Sequence, residues 1–213
     1  MRVVPWALGG AAVVIAADMA ADLALRGEVR LLDVSSDTGL DASLSLAAVT
    51  VTAIALTLAI LRGAPRRARL GVAGAGLAFL AVDMATGLHE RLSDAAAPAA
   101  VDHWPAAVLY APILAAVAAA FWLEGSALAR TAVALLGAAL AIRLVAGAVY
   151  LAVDYSPGDG AKEVAAAAQQ ALELAGWLLL AAAAIEILVR SRRPAFSTTV
   201  EKSPIRLPIS SKI

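Results

Sequence analysis

Six apolar stretches of about twenty residues each alternate with short polar or charged connections along the chain. They fall at residues 3–25, 43–61, 70–88, 104–122, 132–153 and 165–189. At a rise of about 1.5 Å per residue, each is long enough to cover the hydrocarbon thickness of a bilayer, so the pattern predicts six transmembrane helices. The expected fold is all-α: one membrane bundle over residues 1–193, then an extended cytoplasmic tail at 194–213 that holds Pro204 and Pro208. The start of the chain, Arg2 followed by an apolar run to Ala17, has the look of a secretory signal peptide. Asp18 and Asp22 interrupt the place where a cleavage site would lie, so this stretch is expected to be the first span.

Composition strengthens the membrane reading. The 213 residues are 62% hydrophobic and 16% charged, against about half and about a quarter in soluble domains. The abundance of Ala and Gly suits helices whose backbones approach closely in lipid. A formal net charge of +0 speaks against a nucleic-acid partner. The absence of cysteine removes disulfides, thiolate metal sites and cysteine nucleophiles together.

Charge placement then sets an orientation. Residues 62–69 read RGAPRRAR, with Arg62, Arg66, Arg67 and Arg69; Arg190, Arg192 and Arg193 follow the last span, and Arg2 and Arg130 precede the first and fifth. The alternate connections carry Asp94, Asp102, Asp154, Asp159 and Glu163. Basic residues mark the cytoplasmic face, so both termini are expected inside a multi-pass protein of the cell's inner (plasma) membrane. The outer connections are 26–42, 91–103 and 154–164. In the first, Asp33, Asp37 and Asp41 recur every four residues. That spacing fits one acidic face of a short helix or a calcium-like loop; without EF-hand spacing, a solvated loop is the expectation.

The most informative stretch is 79–90, FLAVDMATGLHE. On a continuous helix, Asp83 and Glu90 are nearly two turns apart and share a face with Thr86, while His89 lies beside Glu90. Ionisable groups within a span are costly and mark functional sites. Measured from the basic inner ends at about 1.5 Å per residue, Asp18, Asp83, Arg143 and Glu173 all lie about 20–25 Å up, on four different helices. Asp22, His89, Glu90, Gln169 and Gln170 lie about 30 Å up by the same measure. The bland alternative is that Arg143 neutralises Asp83 or Asp18 and ties the bundle together. Three acids against one arginine leave negative charge to be compensated by protonation, a bound cation or water.

His89, Glu90 and Asp83, with Asp22 and Glu173 near them, would supply one nitrogen and several oxygens, a set suited to a divalent first-row metal. No HExxH or ExxH pair is present, and His103 reads as interfacial. No G-x-S-x-G nucleophile motif occurs. Trp6, Trp104 and Trp122 are expected to be interfacial anchors and Trp177 to pack inside the bundle. Pro112, after Tyr110, is expected to kink the fourth helix.

Residues 18–23, DMAADL, align without gaps to 83–88, DMATGL, and Arg26 then matches Arg91, an offset of 65 residues. If this is a repeat, the first and third spans are equivalent helices with an acid at the same depth. Through Asp83-Met84…His89-Glu90 and Gln169-Gln170-Ala-Leu-Glu173-Leu-Ala-Gly176, the chain resembles a group of uncharacterised bacterial polytopic membrane proteins. These carry D-E-x-x-x-x-H-E on one helix and E-E-x-x-E-x-x-G on the last. Met84, Gln169 and Gln170 stand where that pattern has acids. The resemblance implies no particular activity. A ceramidase-related family of seven-helix hydrolases also uses Asp and His at a membrane face, and its paired zinc histidines have no counterpart here.

Three functions follow as expectations. The first is an outward-facing acidic cavity, formed by spans one, three, five and six, that binds and transports a cation, proton or small polar solute through Asp18, Asp22, Asp83, His89, Glu90, Arg143 and Glu173. The second is an accessory subunit of a larger membrane complex or a homo-oligomer, in which the polar layer only holds helices together. The third is a metal-dependent, lipid-acting hydrolase using His89, Glu90 and Asp83.

Overall fold

The computed structural model describes residues 3–25, 40–88, 91, 104–152 and 160–191. Among the described residues there are six long helices: α1 (Val3–Leu25), α2 (Leu40–Leu61), α3 (Arg67–Thr86), α4 (Trp104–Glu124), α5 (Ala127–Ala152) and α6 (Gly160–Ser191). They follow the six apolar stretches in order. Four of them, over Leu40–Leu61, Arg67–Thr86, Ala127–Val145 and Val164–Ser191, are long and apolar enough to cross a membrane. Val3–Ala17 and Tyr110–Glu124 are shorter apolar stretches.

The helices pack around α6, which lies against α5, α2 and α1. Helix α2 joins α6 to α3, and α4 closes the row between α3 and α5. Alanines make up much of the interior (Ala11, Ala59, Ala73, Ala129, Ala132 and Ala184 are fully covered), beside leucines such as Leu56, Leu77, Leu179 and Leu180, whereas Val13, Ile54, Val72, Val82 and Leu144 are exposed. Small residues inside let backbones approach, and large apolar side chains outside match a hydrocarbon solvent. The hydroxyls of Thr52 and Thr57 donate to the carbonyls of Ala48 and Ala53, one turn back, at 2.6 and 2.9 Å, so these polar groups within α2 are satisfied inside their own helix.

The turns at one end are tight and well specified. Gly63, at φ 87°, ends α2: its N–H donates to the Ile60 carbonyl and that of Ala64 to the Ala59 carbonyl, the paired bonds of a Schellman motif. Gly63→Ala places a Cβ in a left-handed conformation, and the expected cost is about 1 kcal/mol, read as a lower unfolding midpoint in detergent. At the next turn Gly125 is also left-handed, at φ 78°, and the Ser126 hydroxyl accepts the Ala129 N–H at 3.0 Å as the N-cap of α5.

Helix boundaries shift from the expected ones by up to five residues, and two of the shifts bear on candidate residues. Helix α3 stops at Thr86, because Gly87 takes φ 60°, ψ 36° and donates its N–H to the Asp83 carbonyl at 2.8 Å. A glycine cap in the left-handed region ends the helical register, so the α3 face that carries Asp83 and Thr86 does not run on past Gly87. Helix α1 continues through residue 22, the position matching Gly87, so the two copies of the repeat diverge at that point. Helix α2 begins at Leu40, earlier than expected. Asp41 is therefore a buried residue in the first helical turn rather than part of a solvated loop. An acid there complements the helix dipole.

Candidate functional site

Asp83 is the buried acid of α3, with 4% of its surface exposed. What brings a partner to it is the approach of α4. Gly76 lies two turns below Asp83, and a Cβ on it would sit 3.1 Å from Val117 Cγ2 and 3.2 Å from Ile113 Cγ2. The missing side chain lets α4 lie close against α3 there. One turn above Gly76, the Phe79 ring packs on Tyr110 of α4, with centroids 5.7 Å apart at 44°. The Tyr110 hydroxyl then reaches the Asp83 carboxylate. Glycine, ring pair and acid–phenol pair thus ascend one helix interface.

Glu173 occupies a second site, on α6. It is half-buried and accepts the Trp177 indole N–H at 3.4 Å, one turn away on the same helix. Trp177 is itself 6% exposed and packs in the core, as expected. Trp6 and Trp122 are exposed, at 82% and 50%. Gln169 and Gln170 are half-buried on the turns above Glu173. Pro112 lies inside α4, two residues past Tyr110.

The proposed tie between Arg143 and Asp83 does not form. Arg143 is exposed on α5, a helix that packs on α6 and α4, while Asp83 is enclosed between α3 and its neighbours. The ion pair among the described residues is Arg190 with Glu186, one turn apart on α6. Asp18 and Asp22 lie on α1, but their side chains are outside the described residues, and His89 and Glu90 lie outside them altogether. Among the described residues, no three His, Asp or Glu side chains gather as a metal site. Asp33 and Asp37 also lie outside the described residues.

In comparisons with protein families, curated proteins and solved structures, nothing matches this chain. The site is therefore read from its own geometry.

Tyr110 is the residue that sequence reasoning passed over. A tyrosine in an apolar stretch has no signal of its own; only the α3–α4 crossing gives it a role. Tyr110→Phe keeps the ring contact with Phe79 and removes the hydroxyl from Asp83. The expected loss is about 1 kcal/mol in detergent unfolding. A double-mutant cycle with Asp83→Leu should return a coupling of about 0.6 kcal/mol, the size found for hydrogen bonds between membrane helices.

Proposed function

We propose that the chain is a multi-pass protein of the inner (plasma) membrane, with six spans and both termini in the cytoplasm. In this reading it binds a proton, a cation or a small polar solute at a polar layer in the outer half of the bundle. Transport of that species is the natural extension. The observation that carries the reading is the buried Asp83 carboxyl facing the Tyr110 hydroxyl between two apolar helices. A carboxyl in such a place costs free energy unless it is protonated, hydrogen-bonded or neutralised by a cation. Arg143 does not supply that charge, which favours a proton or cation over simple ion pairing within the bundle.

The decisive experiment is metal content and cation- and pH-dependent stabilisation of the purified protein, compared with Asp83→Asn and His89→Ala. A response lost in Asp83→Asn alone supports proton or cation binding at the Asp83–Tyr110 pair. Stoichiometric metal lost in both variants instead supports the lipid-acting metal hydrolase, with His89, Glu90 and Asp83 as ligands. No response in the wild type, with both variants merely less stable, supports the accessory-subunit reading. The exposed apolar faces of α2, α3 and α5 would then contact partner subunits or a second copy.

A further inference from the structure

At the arginine-rich end of the bundle, opposite Asp83, a shallow apolar groove of about 380 Å³ runs between α4 and α5. Ala118, Ala119, Trp122, Leu123 and Val133 line it. Two guanidinium groups are held at its mouth. Arg130 stacks over the Trp122 ring at 5.8 Å from the centroid and reaches toward Gly125, where a Cβ would lie 3.7 Å from its Nη2. Arg66 donates from Nη1 to the Leu123 carbonyl at 3.2 Å. Its backbone takes φ 60°, ψ 36°, a left-handed conformation unusual for a side-chain-bearing residue. Such strain persists where surrounding structure holds it, and it concentrates at binding sites. Both arginines remain exposed, while Arg190 at the same end is taken up by Glu186. Glu124, half-buried beside Gly125, is the acid nearest in sequence, and no ion pair between it and Arg130 or Arg66 forms.

We infer that this groove is a binding site for an anionic phospholipid, its acyl chain lying on Ala118, Ala119 and Val133 and its headgroup phosphate held between Arg130 and Arg66. Charge complementarity selects the occupant. An apolar slot facing the hydrocarbon takes a chain, and two positioned cations at its rim favour a phosphate headgroup of net negative charge over one whose charge is cancelled by choline. Stacking on Trp122 fixes the Arg130 guanidinium at the depth where interfacial tryptophans and headgroups meet. The inference relies on placement in a bilayer and is independent of what Asp83 binds.

The test is native mass spectrometry of the full chain in detergent, titrated with dioleoyl phosphatidylglycerol and with dioleoyl phosphatidylcholine. The wild type is expected to bind the anionic lipid more tightly. Arg130→Gln should lower that affinity about fivefold, the worth of one basic residue at a membrane surface, and leave the zwitterionic lipid unchanged. Ala119→Phe fills the groove from an exposed position without touching a charge and should weaken both lipids. Arg190→Gln should change neither. Equal binding of the two lipids by the wild type would overturn the site. So would an unchanged lipid preference in Arg130→Gln, or an equal loss in Arg190→Gln. Full competition by glycerol 3-phosphate, which has no acyl chain, would overturn the role of the groove.

Discussion

Gly176→Leu is expected to force α5 and α6 apart and to cost about 1–3 kcal/mol, the range for overpacking a tight contact. A Cβ at position 176 would lie 2.7 Å from Leu136 Cγ and 2.8 Å from its Cδ2. A rotamer change can move those atoms. The backbone nitrogen of Leu136 at 3.3 Å cannot move without shifting α5 itself. Because α6 is the helix on which α1, α2 and α5 all pack, a displacement there spreads through the bundle. Unfolding in mixed micelles should show a large drop in midpoint. Gly176→Ala should be milder and partly rescued by Leu136→Ala. Gly137→Leu is the control: no atom lies within 4 Å of its added Cβ, and its midpoint should stay near the wild type. If Gly176→Leu unfolds at the wild-type midpoint, the close α5–α6 crossing is wrong.

The other large effect is expected at Asp83. Asparagine keeps the shape and a hydrogen-bonding oxygen for Tyr110 but cannot titrate or carry charge. A species bound at 100 times its dissociation constant stabilises the folded state by about 2.7 kcal/mol. The wild type should therefore gain about that much when saturated with the active cation, and Asp83→Asn should gain nothing. Asp83→Leu separates this from packing alone. Replacing a buried polar group by an apolar one of similar size is often neutral or stabilising. If Asp83→Leu is as stable as the wild type and the wild type shows no cation or pH response, the carboxyl has no ligand. If Asp83→Leu is stable while the wild-type response is present and abolished in both variants, the acid is kept for binding rather than for holding helices.

Helix positions in this protein follow from local chemistry. About twenty apolar residues in a row can satisfy their backbone only as a helix in lipid. Gly63, Gly125 and Ser126 end and begin helices by bonds reaching no more than five residues along the chain. These signals sit next to the structure they cause, so the order and type of α1 to α6 were open to a reader of the sequence. The burial of Trp177 was legible for the same reason, since residue type and depth along one helix suffice to place it.

Neighbourhood across helices was not legible. The count from the basic ends puts Asp83, Arg143 and Glu173 at one expected depth, and depth along separate helices says nothing about which helices touch. That choice depends on close approaches such as Gly76 against Ile113 and Val117, or Gly176 against Leu136, which no local pattern specifies. Gly87 shows the limit even within one helix. A glycine inside an apolar run can continue a helix or cap it, and here the left-handed cap wins, ending the register of α3 at Gly87. The sequence by itself determined six apolar helices, their basic ends and the acids within them. Only the tertiary structure decided that Asp83 meets Tyr110 rather than Arg143, because a partner for a buried charge is chosen by helix packing, and packing is settled by side-chain size at crossings far apart along the chain.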